Sequence, residues 1–551
     1  MKKLVLKGMA LVLIAGLTAL GACSKKADNA GSGLASSVGK QDPFVKYSPE
    51  ITLTTVRTMS PNDKFDTNDP EKRSYEENRW IRAIKEELGI NVKYNWLAPD
   101  GDSSLAKWNA NIAARDIPDF AVVDDNVYKL LYEADLIADM GQIFEDYSTE
   151  EYRASLVQAD YEMMTMDGQM WGFPGAKKAL SGTTVLYVRQ DWLDKVGLQV
   201  PQTIDEVINV ARAFRNAKLG GNETVGLLLT NNFNGGSNHS LGDGKWDGFL
   251  NGYGAYINYW LVKDGKLAYS TVQPEWRPAL LKLQEIYKEG LVNKDFPSVT
   301  TALAREMIAS GKVGIFYSNA SAVIHGINTL LKTDPNAKIL HVFPPPATKG
   351  QMYPVQTNSP KAWRIFVSKN SQHPEAVVKM AMLAYHARFK DAFYYYEDQT
   401  GFPYYKYLPF GDTFQSADDD LLKSAAVRDA ELNGKPITDV QWLAMYDTYK
   451  AAKEGTADLW NLNLYGPAGT FSTLYDSYKA GLYLLDAYNG LPTDTMALKG
   501  EIINAALQTA IFEVVMGADI STYDRAVERW YADGGTQIVN EVNKWYQGLK
   551  K

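Results

Sequence analysis

From residue 51 onward, strand and helix signals alternate. Ile51-Thr-Leu-Thr-Thr-Val56 is β-branched and bounded by polar residues, which predicts a strand. Ser74-x-x-Glu77 has the form of a capping box. Trp80, Ile81, Ile84 and Leu88 then share one helical stripe, and Gly89 suits its end. Ile90, Val92, Tyr94 and Trp96 alternate with polar residues, as in a half-buried strand. A helix over 104–115 leads to Pro118-Asp119-Phe-Ala-Val-Val123, a short apolar strand ending in Asp124-Asp125-Asn126. This β-α-β-α-β order predicts a largely parallel sheet with helices on its faces.

A second series begins near Thr184. Val185–Val188, Val225–Leu229, Val313–Tyr317 and Trp363–Ser368 read as strands, and Ile339–Phe343 runs into the three prolines Pro344 to Pro346. Thr203-Ile-Asp-Glu206 is another capping box, opening a helix with Ile204, Val207, Ile208, Ala211 and Phe214 on one side. Helices follow at 275–288 and 374–386. Residues 231–248 form a Gly- and Asn-rich loop. The chain closes with helices over 502–516 and 520–531, then Gly534-Gly535 and a final helix.

The first residues contain no foldable signal. Lys2, Lys3 and Lys7 precede an apolar run from Met9 to Leu20, and Leu20-Gly21-Ala22-Cys23 follows. This is a secretory signal, too short for a durable span. Its end resembles a bacterial lipobox, and Cys23 is the only cysteine in 551 residues. The resemblance implies cleavage before Cys23 and lipidation of its sulfur. Two acyl chains would anchor the chain stably to the outer face of the cell membrane. Residues 23–43 are then the lipidated Cys and a small, polar tether.

Composition narrows the chemistry. Net charge is −8, and removal of residues 1–22 takes it to −11, so no nucleic-acid partner is expected. One Cys excludes internal disulfides and CxxC metal sites. The five His form no HExxH, and GxSxG, GxxxxGK[ST] and GxGxxG are missing. Neither an enzyme nor a cofactor is expected. Calcium is the one metal candidate: 66–77 places Asp66, Asn68 and Glu77 at EF-loop positions. Pro70 and Glu71 break that pattern, and Asp100-Gly-Asp102 is short. The unusual number is 33 Tyr and 13 Trp against 19 Phe, which suits wet, partly exposed surfaces as well as cores.

Longer runs carry a family resemblance. Asp167-Gly-Gln-Met-Trp-Gly-Phe-Pro174 is similar to the D-G-x-x-[YW]-G-x-P segment of sugar-binding solute-binding proteins. Arg189-Gln-Asp191-Trp192-Leu-Asp-Lys-Val-Gly197-Leu with Pro201-x-Thr203-x-Asp-Glu206 resembles a run in their large oligosaccharide-binding lipoproteins. Tyr287-Lys-Glu-Gly-Leu291 and the end, Tyr523-Asp-x-x-Val527-x-x-Trp530 through Gly534-Gly535 to Trp545-Tyr546, resemble it too. The resemblance is to extracellular solute-binding lipoproteins (family 1, large oligosaccharide-binding type) of bacterial ABC importers.

It implies a type II periplasmic-binding-protein fold: two α/β lobes on a multi-crossing hinge, with extra C-terminal helices. Lobe 1 is expected over 44–172 plus 359–400, and lobe 2 over 187–342 plus about 411–551. The crossings fall at 173–186, 343–358 and 401–410. The segment 410–490 is longer than in the smaller sugar binders. The implied partners are an oligosaccharide, permease subunits and the membrane, and the protein is expected to be a monomer.

Sugars offer apolar C–H faces to rings and hydroxyls to Asp, Asn and Arg. The candidate ligand residues follow. Trp171 and Trp363 flank crossings and face the cleft or pack the lobes together. Asp124 and Asp125 end a strand, as ligands or as a helix cap. Tyr317 and Asn319 end another. Arg189 reaches ligand or pairs with Asp191. Trp246 caps the ligand or is a surface Trp. Tyr395, in the Tyr394–Tyr396 cluster, is cleft or core. Competing readings are a peptide or other solute in the same fold, a surface polysaccharide-degrading enzyme, and a sensor for a membrane kinase.

Overall fold

The computed structural model describes residues 41–59, 73–99, 101–156, 158–173, 180–233, 242–357, 364–390, 407–410 and 418–549. Cys23, Trp363, Tyr395 and most of the 66–77 loop lie outside them. The strands that carry the two halves are β1 (Ile51–Met59), β2 (Ile90–Pro99), β3 (Phe120–Val123), β4 (Val185–Arg189), β5 (Val225–Leu228), β6 (Val313–Ser318), β7 (Ile339–Val342) and β8 (Arg364–Val367).

In the first half β1 and β2 pair in parallel, from Ile51 opposite Ile90 to Met59 opposite Pro99. The helix Arg79–Leu88 makes the crossover that parallel strands need, burying Trp80, Ile84 and Leu88. Gly89 ends it in the left-handed region, at φ 69°. The start differs from the expectation. Asn78 caps it by accepting from the N–H groups of Trp80 and Ile81, while Ser74 serves a turn upstream. Asn caps as well as Ser does, so the S-x-x-E pattern marked the approach to the helix.

The largely parallel sheet is also corrected. β3 pairs antiparallel with β8, Val123 opposite Arg364, so a strand from far down the chain inserts where local order suggested a parallel neighbour. The second half is one mixed sheet in the order β7-β4-β6-β5. β4 runs antiparallel to both neighbours, and β5 runs parallel to β6.

Every residue of β4 and β6 is buried, because helices cover both faces of this sheet. On one face lie Ile204–Asn216, Trp276–Glu289 and the C-terminal helices Glu501–Met516, Ser521–Trp530 and Thr536–Gly548. On the other lie Thr301–Ala309, Asp419–Asn433, Trp460–Tyr465 and Thr470–Lys479, around Val185, Tyr187 and Phe316. The described part of the long 410–490 segment is thus chiefly cover for the second sheet. The second capping box forms: Thr203 Oγ1 accepts from Glu206 N–H, and the Glu206 carboxylate accepts from Gln202 N–H.

The strand ends orient the halves. Val185 pairs with Ser318 and Leu186 with Val342. The chain therefore enters β4 and leaves β7 at the end of the sheet where β6 stops. Phe173 bridges to Ile365 of β8, and Phe410 packs on Phe120 and Phe173. Gln356 Oε1 accepts from Asn251 and from Ile257 N–H, fixing its segment to the second half.

Candidate ligand-binding site

The end of β3 and the start of β8 set the first wall. Asp124 caps the helix Asp125–Glu133: its Oδ1 accepts from Asn126 and Val127 N–H at 2.9 Å each. Asp125, one residue on, accepts from Arg364 Nε at 2.6 Å. The Arg364 side chain is 0% exposed, and its guanidinium lies 5.1 Å from the Tyr128 ring centroid. Its Nη1 and Nη2 have no hydrogen-bond partner among the described residues.

Tyr128 donates its hydroxyl to the Trp171 carbonyl, and burial raises that phenol well above its usual range. Trp171 is half-buried. Its Nε1 donates to the Met166 carbonyl at 3.1 Å, and its ring meets Tyr132 edge-on at 5.4 Å. A left-handed Asp167-Gly168 turn, with φ 52° and 78°, reverses the chain just before it.

A segment after the second sheet's cover, 486–494, reaches this wall. Asp486 Oδ1 accepts from Trp260 and Tyr488 N–H, both at 3.0 Å. Tyr488 packs edge-on to Trp545 at 4.7 Å and hydrogen-bonds the Leu491 carbonyl. Asn489 donates to Glu162 at 3.1 Å, and Lys129 donates to the Pro492 carbonyl and to Asp494. Burial raises the Tyr488 phenol. Arg364 opposes that rise and Asp125 adds to it, so both charges act on this ring.

A second polar cluster lies at the carboxyl ends of β5 and β6, where open α/β sheets bind ligands. Lys245 Nζ donates to Thr184 Oγ1 at 2.9 Å and pairs with Asp247 at 2.9 Å, and Thr184 donates to Asp247 at 2.7 Å. Asp243 is buried and accepts from Ser318 Oγ at 2.6 Å and Arg305 at 3.2 Å. Burial raises its carboxyl, while those two partners oppose the rise. The Tyr317 hydroxyl is buried without a partner among the described residues, and Asp247 and Tyr253 add to its upward shift. Asn319 is buried and accepts from Ser321 through both its N–H and its hydroxyl.

Among the residues expected from sequence, Asp125 and Trp171 thus gather around Arg364 and Tyr128, and Tyr317 and Asn319 end β6. Asp124 acts as the cap. Trp246 departs from both of its expected readings, while Arg189 follows its second: it makes a two-bond pair with Asp191, at 2.8 and 2.7 Å, and lies over Trp192. Both stand at the far end of β4 from its start at Val185, about 13 Å along a strand that rises roughly 3.3 Å per residue. Trp246 is 1% exposed, donates to the Thr230 carbonyl at 2.8 Å and stacks on Phe512 at 5.1 Å. It is a core residue, because burying so large a ring outweighs leaving it to cap a loop.

Arg364 and Tyr488 escaped sequence reading. One signal was available for Arg364: a lone charge opening the apolar run Arg364-Ile-Phe-Val367. Tyr488 sits in irregular chain with no period to betray it. Among the described residues no group of three or more His, Cys, Asp or Glu is placed to hold a metal ion.

Comparison with known proteins agrees with this architecture. A family model described as bacterial extracellular solute-binding protein matches residues 75–385, more than half of the chain. Lipoprotein LipO of Bacillus subtilis is 24% identical over 99% of both chains. The polygalacturonan/rhamnogalacturonan-binding protein YtcQ of the same organism is 22% identical over 86% of this chain and 89% of its own. Among solved structures, the Streptococcus pneumoniae ABC-transporter substrate-binding protein FusA, in complex with kestose, superposes with a TM-score of 0.58. It is 15% identical and covers 91% of this chain and 99% of its own.

Proposed function

This chain belongs to the bacterial extracellular solute-binding protein family, and we propose on that premise that it captures an oligosaccharide and delivers it to the permease of an ABC importer. The observation that carries the reading is the corner where 486–494 meets the first half. There Trp171, Tyr128 and Tyr488 lie beside Asp125, Asn489 and a buried guanidinium with unused donors. Rings for sugar faces and fixed hydrogen-bonding groups for hydroxyls are what carbohydrate recognition requires. One relative is named for binding polygalacturonan and rhamnogalacturonan, and the structural neighbour holds kestose; both ligands are carbohydrates.

In this reading the cleft lies between a first lobe, 44–172 plus 359–400, and a second, 187–342 plus 411–551. Crossings near 173–186, 343–358 and 401–410 let it close on ligand. Trp363 and Tyr395 remain proposed contacts. The body hangs from the outer membrane face through lipid on Cys23. LipO, similar over its whole length, carries the name lipoprotein. Capture without turnover is expected, since no catalytic constellation was legible in the chain. Calcium stays a candidate at the 66–77 loop and at Asp100-Gly-Asp102.

A thermal-shift screen of the mature chain against oligosaccharides and peptides tests the proposal. Oligosaccharides should raise the melting temperature and peptides should not; the reverse pattern would end the carbohydrate reading.

A further inference from the structure

Arg364 is the most under-used polar group in the described structure. Its guanidinium carries five N–H donors, four of them on Nη1 and Nη2. Nε is spent on a single oxygen of Asp125. The guanidinium lies over the Tyr128 ring, 5.1 Å from its centroid, a contact that supplies no lone-pair acceptor for its N–H groups. The Nη1/Nη2 edge is buried and unpaired among the described residues. Burying such donors without acceptors is costly, so native proteins seldom leave them so.

The same arginine is poorly explained as a purely structural partner for Asp125. Arg–carboxylate pairs are frequently two-bond forks, as Arg189 and Asp191 are here. Arg364 uses one bond and keeps its fork for something else. The segment 486–494 arrives from the second half and is held to the first by Asn489 on Glu162 and by Lys129 on Pro492 and Asp494, and its Leu491 packs in the same cluster as Tyr128 and Trp171. Arg364, over the Tyr128 ring, is therefore set beside the contact between the two halves.

The shape of the fork selects the solute. Two parallel N–H groups match the two oxygens of a carboxylate, and bonds to an ionised acceptor are about twice as strong as those to a neutral hydroxyl. Asp125 does not cancel the charge outright: its side chain is 20% exposed, so water screens it while the fork stays dry. The overall negative charge is no bar, since it is screened beyond about 10 Å at 0.1 M salt.

We propose that the Nη1/Nη2 edge of Arg364 binds the carboxylate of a uronic-acid unit, so that the captured solute is an acidic oligosaccharide. This rests on the oligosaccharide reading above. The test is isothermal titration of the mature chain with uronate oligosaccharides of several linkages. Each is paired with its carboxyl-reduced, neutral counterpart of the same length, and neutral oligosaccharides are run alongside.

At least one uronate should bind, with its reduced counterpart at least 100-fold weaker. Arg364→Gln should lose at least 100-fold for the uronate, and Arg364→Lys should recover part of it through a point charge. The wild-type comparison stands even if the variants do not fold. Equal affinity for a uronate and its reduced form, or binding of neutral sugars alone, overturns the acidic assignment and leaves the oligosaccharide reading intact. Binding of no glycan at all overturns both.

Discussion

Replacing Trp246 with Ala separates a core residue from a cap on the ligand. The indole is 1% exposed, stacks on Phe512 at 10° between planes, and meets Phe233 and Phe296 edge-on at 5.6 and 5.2 Å. Truncating a buried Trp to Ala costs about 3–5 kcal/mol. The lost Nε1–H bond to Thr230 adds about 1 kcal/mol, part of it already inside that figure. A total near 4–5 kcal/mol lowers the folded-to-unfolded ratio roughly a thousandfold. Equilibrium urea unfolding followed by circular dichroism should show the midpoint falling accordingly. Titration under folding conditions, with the best glycan of the thermal-shift screen, should give an affinity within about twofold of wild type. A tenfold loss of affinity with unchanged stability would refute the core assignment.

Other substitutions probe the site and its supports. Asp125→Ala leaves Arg364 buried without its ionic partner and should cost roughly 3 kcal/mol in urea unfolding, as broken buried pairs do; a loss under 1 kcal/mol would contradict the pairing. Gly172→Ala would drive a Cβ into the Ile365 carbonyl oxygen and Met164 Cε. About 1–3 kcal/mol of overpacking is expected, and an unchanged urea midpoint would contradict the close approach of residue 172 to Ile365.

His341 predicts a pH dependence. Burial depresses its imidazole to about 4, from 6.5 in the unfolded chain. Between those values the unfolded state binds more protons, so stability must fall as pH drops from about 6.5 to about 4 and level off below. His341→Gln should flatten that slope in denaturation curves taken across the window. An unaltered slope would exclude this residue.

Local chemistry made much of this molecule legible. Gly89 closing a helix, Thr203 with Glu206 opening one, and the alternation from Ile90 to Trp96 each act within a few residues, where the sequence pattern is complete. Strand partners are set over long distances, so neither the antiparallel β3–β8 pair nor the mixed second sheet could be read locally. The same holds at the site. Asp125 and Trp171 are marked by their positions at a strand end and beside an expected crossing. Arg364 and Tyr488 enter the proposed site because folding brings them near one another, which no local period records. Trp246 was misread because a Gly-rich loop looks exposed, yet one large ring can pin its end into a core.

Titration calorimetry of the mature chain with its best glycan, followed by mass spectrometry of that glycan after prolonged incubation, tests the central claim most directly. Saturable one-to-one binding near micromolar Kd, about 8 kcal/mol, with the glycan recovered intact, is the predicted result. A glycan returned shortened, or heat released by peptides and by no sugar, would contradict it.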